Sequence, residues 1–194
     1  MTDDPSSSRE AHEQRLGTVT LGALTPLDGT IALADYDPQW ADRFAILRDE
    51  IAAALGPKAL LIEHVGSTSV SRLAAKPVID VVLMVADAGD EIAYVSPLER
   101  CGYALRIREP DWFQHRLLKP PRIDGNVHVF SRGCAEIGRM LAFRDRLRRD
   151  DADRAHYERA KRELAARTWR YTQDYADAKS DVVREILGRS LAPR

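Results

Sequence analysis

KALLIEHVGSTSVSRLAAKPVIDVVLMVA, residues 58–86, decides the fold. KALLIEHV (58–65) is a short apolar run whose length suits a strand better than a helix. VIDVVLMVA (78–86) is the most β-rich segment of the chain, with apolar residues on both faces, so it predicts a central, buried strand. Between them, GSTSVSRLAAKP (66–77) is a polar turn entered through Gly66. Strand alternation places Asp80, Val82 and Met84 on one face, and Ile79, Val81 and Leu83 on the other.

Upstream, Asp37-Pro38 supplies an N-cap and a first-turn proline. Trp40, Phe44, Leu47, Ile51 and Leu55 then recur at helical spacing until Gly56. TVTLGAL and TIALADY flank TPLDG, which predicts a hairpin within 18–36. Residues 1–17 lack periodicity and predict a disordered tail, leaving 18–190 as a single domain. Downstream, Ile92, Val95, Leu98 and Cys101 suggest a helix over 88–101 shortened by Pro97. Strands over 103–109, 112–119 and 126–132, with Asp124-Gly125 at the last turn, predict an antiparallel meander. From 135 onward the pattern is helical, marked by Ile137, Leu141 and Leu147, then Tyr157, Leu164 and Ala165, then Tyr175, Val182 and Ile186. The order predicts an α+β fold: a mixed sheet with helices packed on one side and a C-terminal helical segment.

Composition bounds the function. The 194 residues carry 29 Lys and Arg against 30 Asp and Glu, a net charge of -1, so bulk nucleic-acid binding is not expected. Cys101 and Cys134 are too few and too far apart for a disulfide scaffold or a zinc site. No segment approaches the ~18 apolar residues of a membrane span. The start, MTDDPSSSRE, is acidic where a signal peptide is cationic, so a cytoplasmic protein is expected.

Gly66, Ser67, Thr68 and Ser69 follow a strand, where glycine permits close approach and amides and hydroxyls can cradle a phosphate. A polar turn capping a short helix is the plain alternative. Asp80 stands in an apolar strand, where a charge is costly unless paired, hydrogen-bonded or metal-bound. A buried structural aspartate bonded to the turn is equally consistent with the pattern.

The string EHVGSTSVSRLAAKPVIDVVL resembles the signature block of the GrpB family. ADYDPQWADRF, YERAKRELA and YTQDYADAKSDVV extend the resemblance over roughly 31–189. That family is assigned to the DNA polymerase β-like nucleotidyltransferase superfamily and also occurs fused behind dephospho-CoA kinase. The resemblance implies a nucleotidyltransferase-like fold and a transferase that binds a nucleotide or another phosphorylated small molecule. It implies phosphate at Gly66-Ser67 and Mg²⁺ at Asp80, where paired ions would align an attacking hydroxyl. The sequence departs from the superfamily pattern at Val82, which occupies the second carboxylate position, and Asn126 and His128 stand where a third acid would be sought. Ser71-Arg72 also replaces the family's usual Pro-Gly. The alternative is therefore a non-catalytic module binding a nucleotide or CoA-like ligand, or assisting a protein partner, with a degenerate metal site.

Further candidates surround this block. His64 could join Asp80 and His128 as a metal ligand, a set better suited to zinc, manganese or iron, and His128 could act as an acid or base. Lys76 and Arg116 are candidates for phosphate and developing charge. Arg106, Arg108, His115 and Lys119 could complete a basic wall, Arg144 could reach an anion, and Trp112 and Phe113 could stack a base.

Overall fold

The computed structural model describes residues 5–190. Five strands, β1 (Leu61–Val65), β2 (Ile79–Val85), β3 (Ala104–Glu109), β4 (His115–Lys119) and β5 (Gly125–Ser131), form one mixed sheet in the order β1-β2-β5-β4-β3. β2 lies between antiparallel β1 and parallel β5, which explains its apolar residues on both faces. β3, β4 and β5 form the antiparallel meander. The chain is an α+β protein.

One face of the sheet packs on two helices. Ile79, Val81, Leu83 and Val85 of β2, with Val127 and Val129 of β5, meet Trp40, Leu47 and Ile51 of α2 (Gln39–Leu55) and Leu98 of α3 (Val95–Arg100). Asp37 holds the start of α2 by accepting the Gln39 amide at 2.9 Å. The helix expected over 88–101 is split into a 3₁₀ turn, Glu91–Ala93, and α3. Pro97 sits in the first turn of α3, where a missing N–H costs no helical bond.

The opposite face is covered in part. Val82 and Phe130 pack with Val65 against Ile137 of α4 (Ala135–Arg149). Behind it stand α5 (Asp151–Ala165), α6 (Thr172–Ala178) and α7 (Ser180–Ser190). Asp150 caps α5 by accepting the amides of Ala152 and Asp153 at 3.0 and 2.9 Å. Buried Asp153 binds Arg146 and Arg189, each at 2.6 Å, and so ties α4, α5 and α7 together. Val70 and Leu73 of the 66–77 segment insert between these helices against Leu147, Tyr157 and Ile186. Within that segment Arg72 has φ +62°, the left-handed region that favours glycine.

Three expectations are corrected. Of the residues 1–17 expected to be disordered, 5–17 lie in α1 (Pro5–Val19), while residues 1–4 lie outside the described ones. Few apolar side chains anchor α1, although Leu16 is buried. Polar pairs also hold it, His12 to Asp174 at 2.8 Å and Glu13 to Arg170 at 2.7 Å, which leave no hydrophobic period to read. The hairpin expected within 18–36 is absent among the described residues. Thr20 instead bridges Ile107, Gly29 bridges Trp169 and Ala34 bridges Ala75, so this strap spends its backbone bonds on three other segments. In β3 a bulge between Leu105 and Ile107 breaks strict alternation, so Arg106 and Arg108 do not form the shared basic wall. Among the described residues no helix is long and apolar enough to cross a membrane.

Candidate functional site

The part of the sheet face that α4 leaves uncovered opens into a cavity of about 860 Å³, walled by α1, the end of α5 and α6. Its floor is set by register. Asp80 pairs with Asn126 across β2 and β5, and His128 follows two residues along β5 on the same face. The Asn126 amide donates to Asp80 Oδ1 at 2.7 Å, and His128 Nε2 lies 3.7 Å from the same oxygen. Burial pushes the Asp80 carboxyl up, but the His128 ring in its protonated, charged form, the Asn126 amide and the charge of Lys179 outweigh it. The group is held below the usual carboxylate range.

Gly66 ends β1 directly against this carboxylate. A Cβ there would lie 3.0 Å from Asp80 Cβ and 3.1 Å from Cγ, and its φ is +68°. Both features demand glycine. The next three residues, Ser67–Ser69, form a 3₁₀ turn. Its hydroxyls are largely committed: Thr68 donates to the Val78 carbonyl at 3.1 Å, Ser69 to the Gly66 carbonyl at 2.6 Å, and Ser67 is bonded to Tyr157. Ser67 and Thr68 line the cavity with Lys76 and Asp80, whereas Ser69 does not.

Two predicted site residues lie elsewhere. His64 pairs with Val81 across β1 and β2 and so faces α2. Its ring stacks on Phe44 at 4.7 Å, and Nε2 meets Thr68 Oγ1 at 3.1 Å. Burial first of all, with Arg148 and Arg144 adding to it against the pull of Asp80, lowers its pKa to about 4. A neutral, core-facing His64 joins no metal site with Asp80 and His128. Arg116 alternates with His115 and Leu117 and points away from the cavity. It binds Glu91 at 2.6 Å, and Arg108 binds the same carboxylate. Arg144 is also structural, bound to Glu63 at 2.7 Å and to the His64 carbonyl at 2.9 Å. Trp112 lies on the cavity wall, partly exposed, in contact with Phe113, His115 and Phe130.

The cavity also holds two lysines that the motif does not name. Lys161 of α5 is 2% exposed, donates to the Ala74 carbonyl and lies over the Tyr157 ring. Burial, then the charge of Lys179, lowers its pKa to about 7. Lys179, between α6 and α7, lies 4.4 Å over the Tyr175 ring, and burial lowers it too, against the attraction of Asp80. Neither forms an ion pair among the described residues. The sequence carries a signal for both: Lys161 stands four residues from Tyr157 and from Ala165, and Lys179 four from Tyr175. Lys161 is a helical position on an apolar stripe, where a cation is out of place, and Lys179 directly follows the last turn of α6.

The Mg²⁺ implied by the family resemblance does not fit this donor set. Mg²⁺ calls for several oxygen ligands in octahedral array. Asp80 is the single carboxylate at the floor, its Oδ1 is taken by the Asn126 amide, and the positive charge of Lys179 acts on it. Val82, at the position of the second acid, is fully buried with Val65, Phe130 and Ile137. Among the described residues no group of three or more His, Cys, Asp or Glu side chains could hold a metal ion.

The family model for GrpB protein matches residues 30–189. The chain belongs to the GrpB family. A UPF0157 protein of Halalkalibacterium halodurans is 52% identical over 189 residues, 97% of each chain. A second, of Streptomyces coelicolor, is 48% identical over 164 residues, 84% of this chain and 86% of that one. The crystal structure of conserved protein GrpB from Enterococcus faecalis superposes with a TM-score of 0.69 at 31% identity, covering 83% of this chain and 100% of that chain. The GrpB match takes in the whole sheet and the cavity floor and begins after α1.

Proposed function

We propose that the cavity binds a phosphorylated small molecule, a nucleotide being the leading class, through lysine side chains and without a magnesium cage. The observation that carries this reading is the pair Lys161, buried, and Lys179, half-buried, both without ion-pair partners among the described residues and facing one cavity beside Ser67 and Lys76. A buried ammonium group is costly unless an anion meets it, and a phosphate supplies that charge. Lys76 adds a third cation to the lining, and Asp80 is a carboxylate that attracts Lys179, with Asp177 a lesser one. The volume is that of a small-molecule site. Trp112 offers an aromatic surface to a base, and the Tyr175 hydroxyl is a buried polar group on the wall with no hydrogen-bond partner among the described residues. Transfer chemistry run by paired metal ions finds no support in the side chains present.

A thermal-shift screen of nucleoside mono-, di- and triphosphates and sugar phosphates tests this. Ligand at about 100 times Kd is worth ~2.7 kcal/mol and moves Tm upward by several degrees. Lys179→Met is expected to weaken binding about tenfold or more, while its fold persists because no ion pair is broken. If no phosphorylated compound shifts the wild-type protein, the proposal is wrong.

A further inference from the structure

Beside the lysines, the cavity wall carries a chain of four titratable groups. Glu109 Oε2 lies 2.7 Å from His115 Nδ1, and His115 Nε2 lies 3.1 Å from His128 Nδ1. His128 Nε2 lies 3.7 Å from Asp80 Oδ1. All four residues border the cavity. The rings are clamped as well: His115 stacks on Phe130 at 4.9 Å and on His128 at 5.3 Å, with Trp112 against its edge at 5.1 Å.

Proton counting gives this chain a direction. Two neutral imidazoles carry two N–H groups, but the chain has three junctions, each flanked by lone pairs. One junction therefore goes without a proton. An unprotonated contact at 2.7 Å between a carboxylate and an imidazole nitrogen is strongly repulsive, and 3.1 Å between two imidazole nitrogens is little better. At 3.7 Å, beyond direct hydrogen-bond length, the penalty is least. The protons therefore lie on Nδ1 of His115, directed at Glu109, and on Nδ1 of His128, directed at His115. The lone pair of His128 Nε2 is left facing the cavity beside Asp80. An oxygen placed off the line between Nε2 and Oδ1 can reach both at hydrogen-bond distance.

We propose that His128 Nε2 is the proton acceptor of this cavity, held in a single tautomer by Glu109 acting through His115, and that it receives the proton of a hydroxyl group, from water or from the ligand. In that step the O–H bond breaks, the proton passes to Nε2, the electron pair stays on the oxygen, and the resulting imidazolium lies between Asp80 and the Glu109–His115 pair. The identity of the hydroxyl rests on the proposed phosphorylated ligand; the tautomer does not. Glu109 and His115 are positioning residues. The other charged groups near the chain are Arg116, which adjoins His115 on β4, and Lys179, which acts on Asp80.

Nitrogen-15 NMR of histidine-labelled, ligand-free protein at pH 8 reads the tautomers directly. The expected spectrum has both His115 and His128 protonated at Nδ1 and bare at Nε2. His115→Leu removes the acceptor and is expected to release His128 toward the Nε2–H form. His115→Gln, whose side-chain oxygen can still accept, is expected to retain Nδ1–H. A proton on His128 Nε2 in the wild-type protein at that pH overturns the proposal, whether or not either variant folds. Failure of ligand binding in the thermal-shift screen leaves this spectrum unchanged, so the two readings fail separately.

Discussion

Gly66→Ala is expected to abolish ligand binding and to lower stability by roughly 1–3 kcal/mol, a cost in the range of a strained backbone position. Two penalties coincide at this residue. Its φ of +68° is unfavourable for any side chain, and the added methyl group would meet both Cβ and Cγ of Asp80 near 3 Å. Asp80 cannot simply rotate away, because Oδ1 is bonded to Asn126 and faces His128. The variant therefore sacrifices either the turn or the carboxylate position, and each is part of the cavity floor. For a chain of this length the drop in Tm is roughly 2–4 °C per kcal/mol. Gly138→Ala is the matched control: it lies in α4 with open space around its Cβ, and an unchanged or slightly raised Tm is expected. Equal Tm values for Gly66→Ala and wild type would show that Gly66 and Asp80 are not in contact.

Lys161→Met is expected to have opposite effects on stability and binding. The ammonium group loses its proton near pH 7 in the folded protein but near 10.5 in the unfolded chain, because burial penalises the charge. Between those values the unfolded chain holds the proton and the folded one does not, so stability rises with pH from about 7 to 10.5. Below pH 7 both states are protonated, the slope vanishes, and the folded protein carries the whole penalty, roughly 5 kcal/mol as an upper bound. Methionine removes that penalty but leaves the Ala74 carbonyl without its donor, a loss of ~1–3 kcal/mol. A net gain of roughly 2 kcal/mol at pH 6 and a flattened slope between pH 7 and 10.5 are expected in urea melts. Phosphate-ligand affinity is expected to fall about tenfold or more. A destabilised variant with unchanged pH dependence would assign Lys161 to the core alone.

Much of this architecture is written plainly in the chain. The β2 pattern marks a central strand, and Trp40 to Leu55 mark the helix that covers it, because in both cases burial imposes a period. Asp80 is legible for the converse reason: it interrupts such a pattern, and the fold places it at the cavity floor. His64 and Arg116 were misplaced because a strand residue's face depends on register. Pairing Val65 with Asp80 turns His64 to the far side, and alternation from His115 does the same to Arg116. The helix α1 and the strap after it are held largely by pairs such as His12–Asp174 and by isolated bridges, which leave no period in the sequence. Lys161 stands on an apolar helical stripe and Lys179 four residues past Tyr175, but both lie far along the chain from the Gly66–Asp80 block whose cavity they enter. The chain from Glu109 to Asp80 depends on four strands, β3, β4, β5 and β2, meeting in register and has no local signature.

The central claim, that this GrpB-family cavity holds a phosphorylated ligand by lysine charge rather than by magnesium, is tested most directly by titration calorimetry. A nucleoside triphosphate would be titrated into the wild-type protein once with EDTA and once with Mg²⁺, and into Asp80→Asn under both conditions. The account predicts binding in EDTA, with a Kd within about fivefold of that in Mg²⁺, a difference of ~1 kcal/mol, and binding that survives in Asp80→Asn. Binding that needs Mg²⁺ and disappears in Asp80→Asn would contradict it.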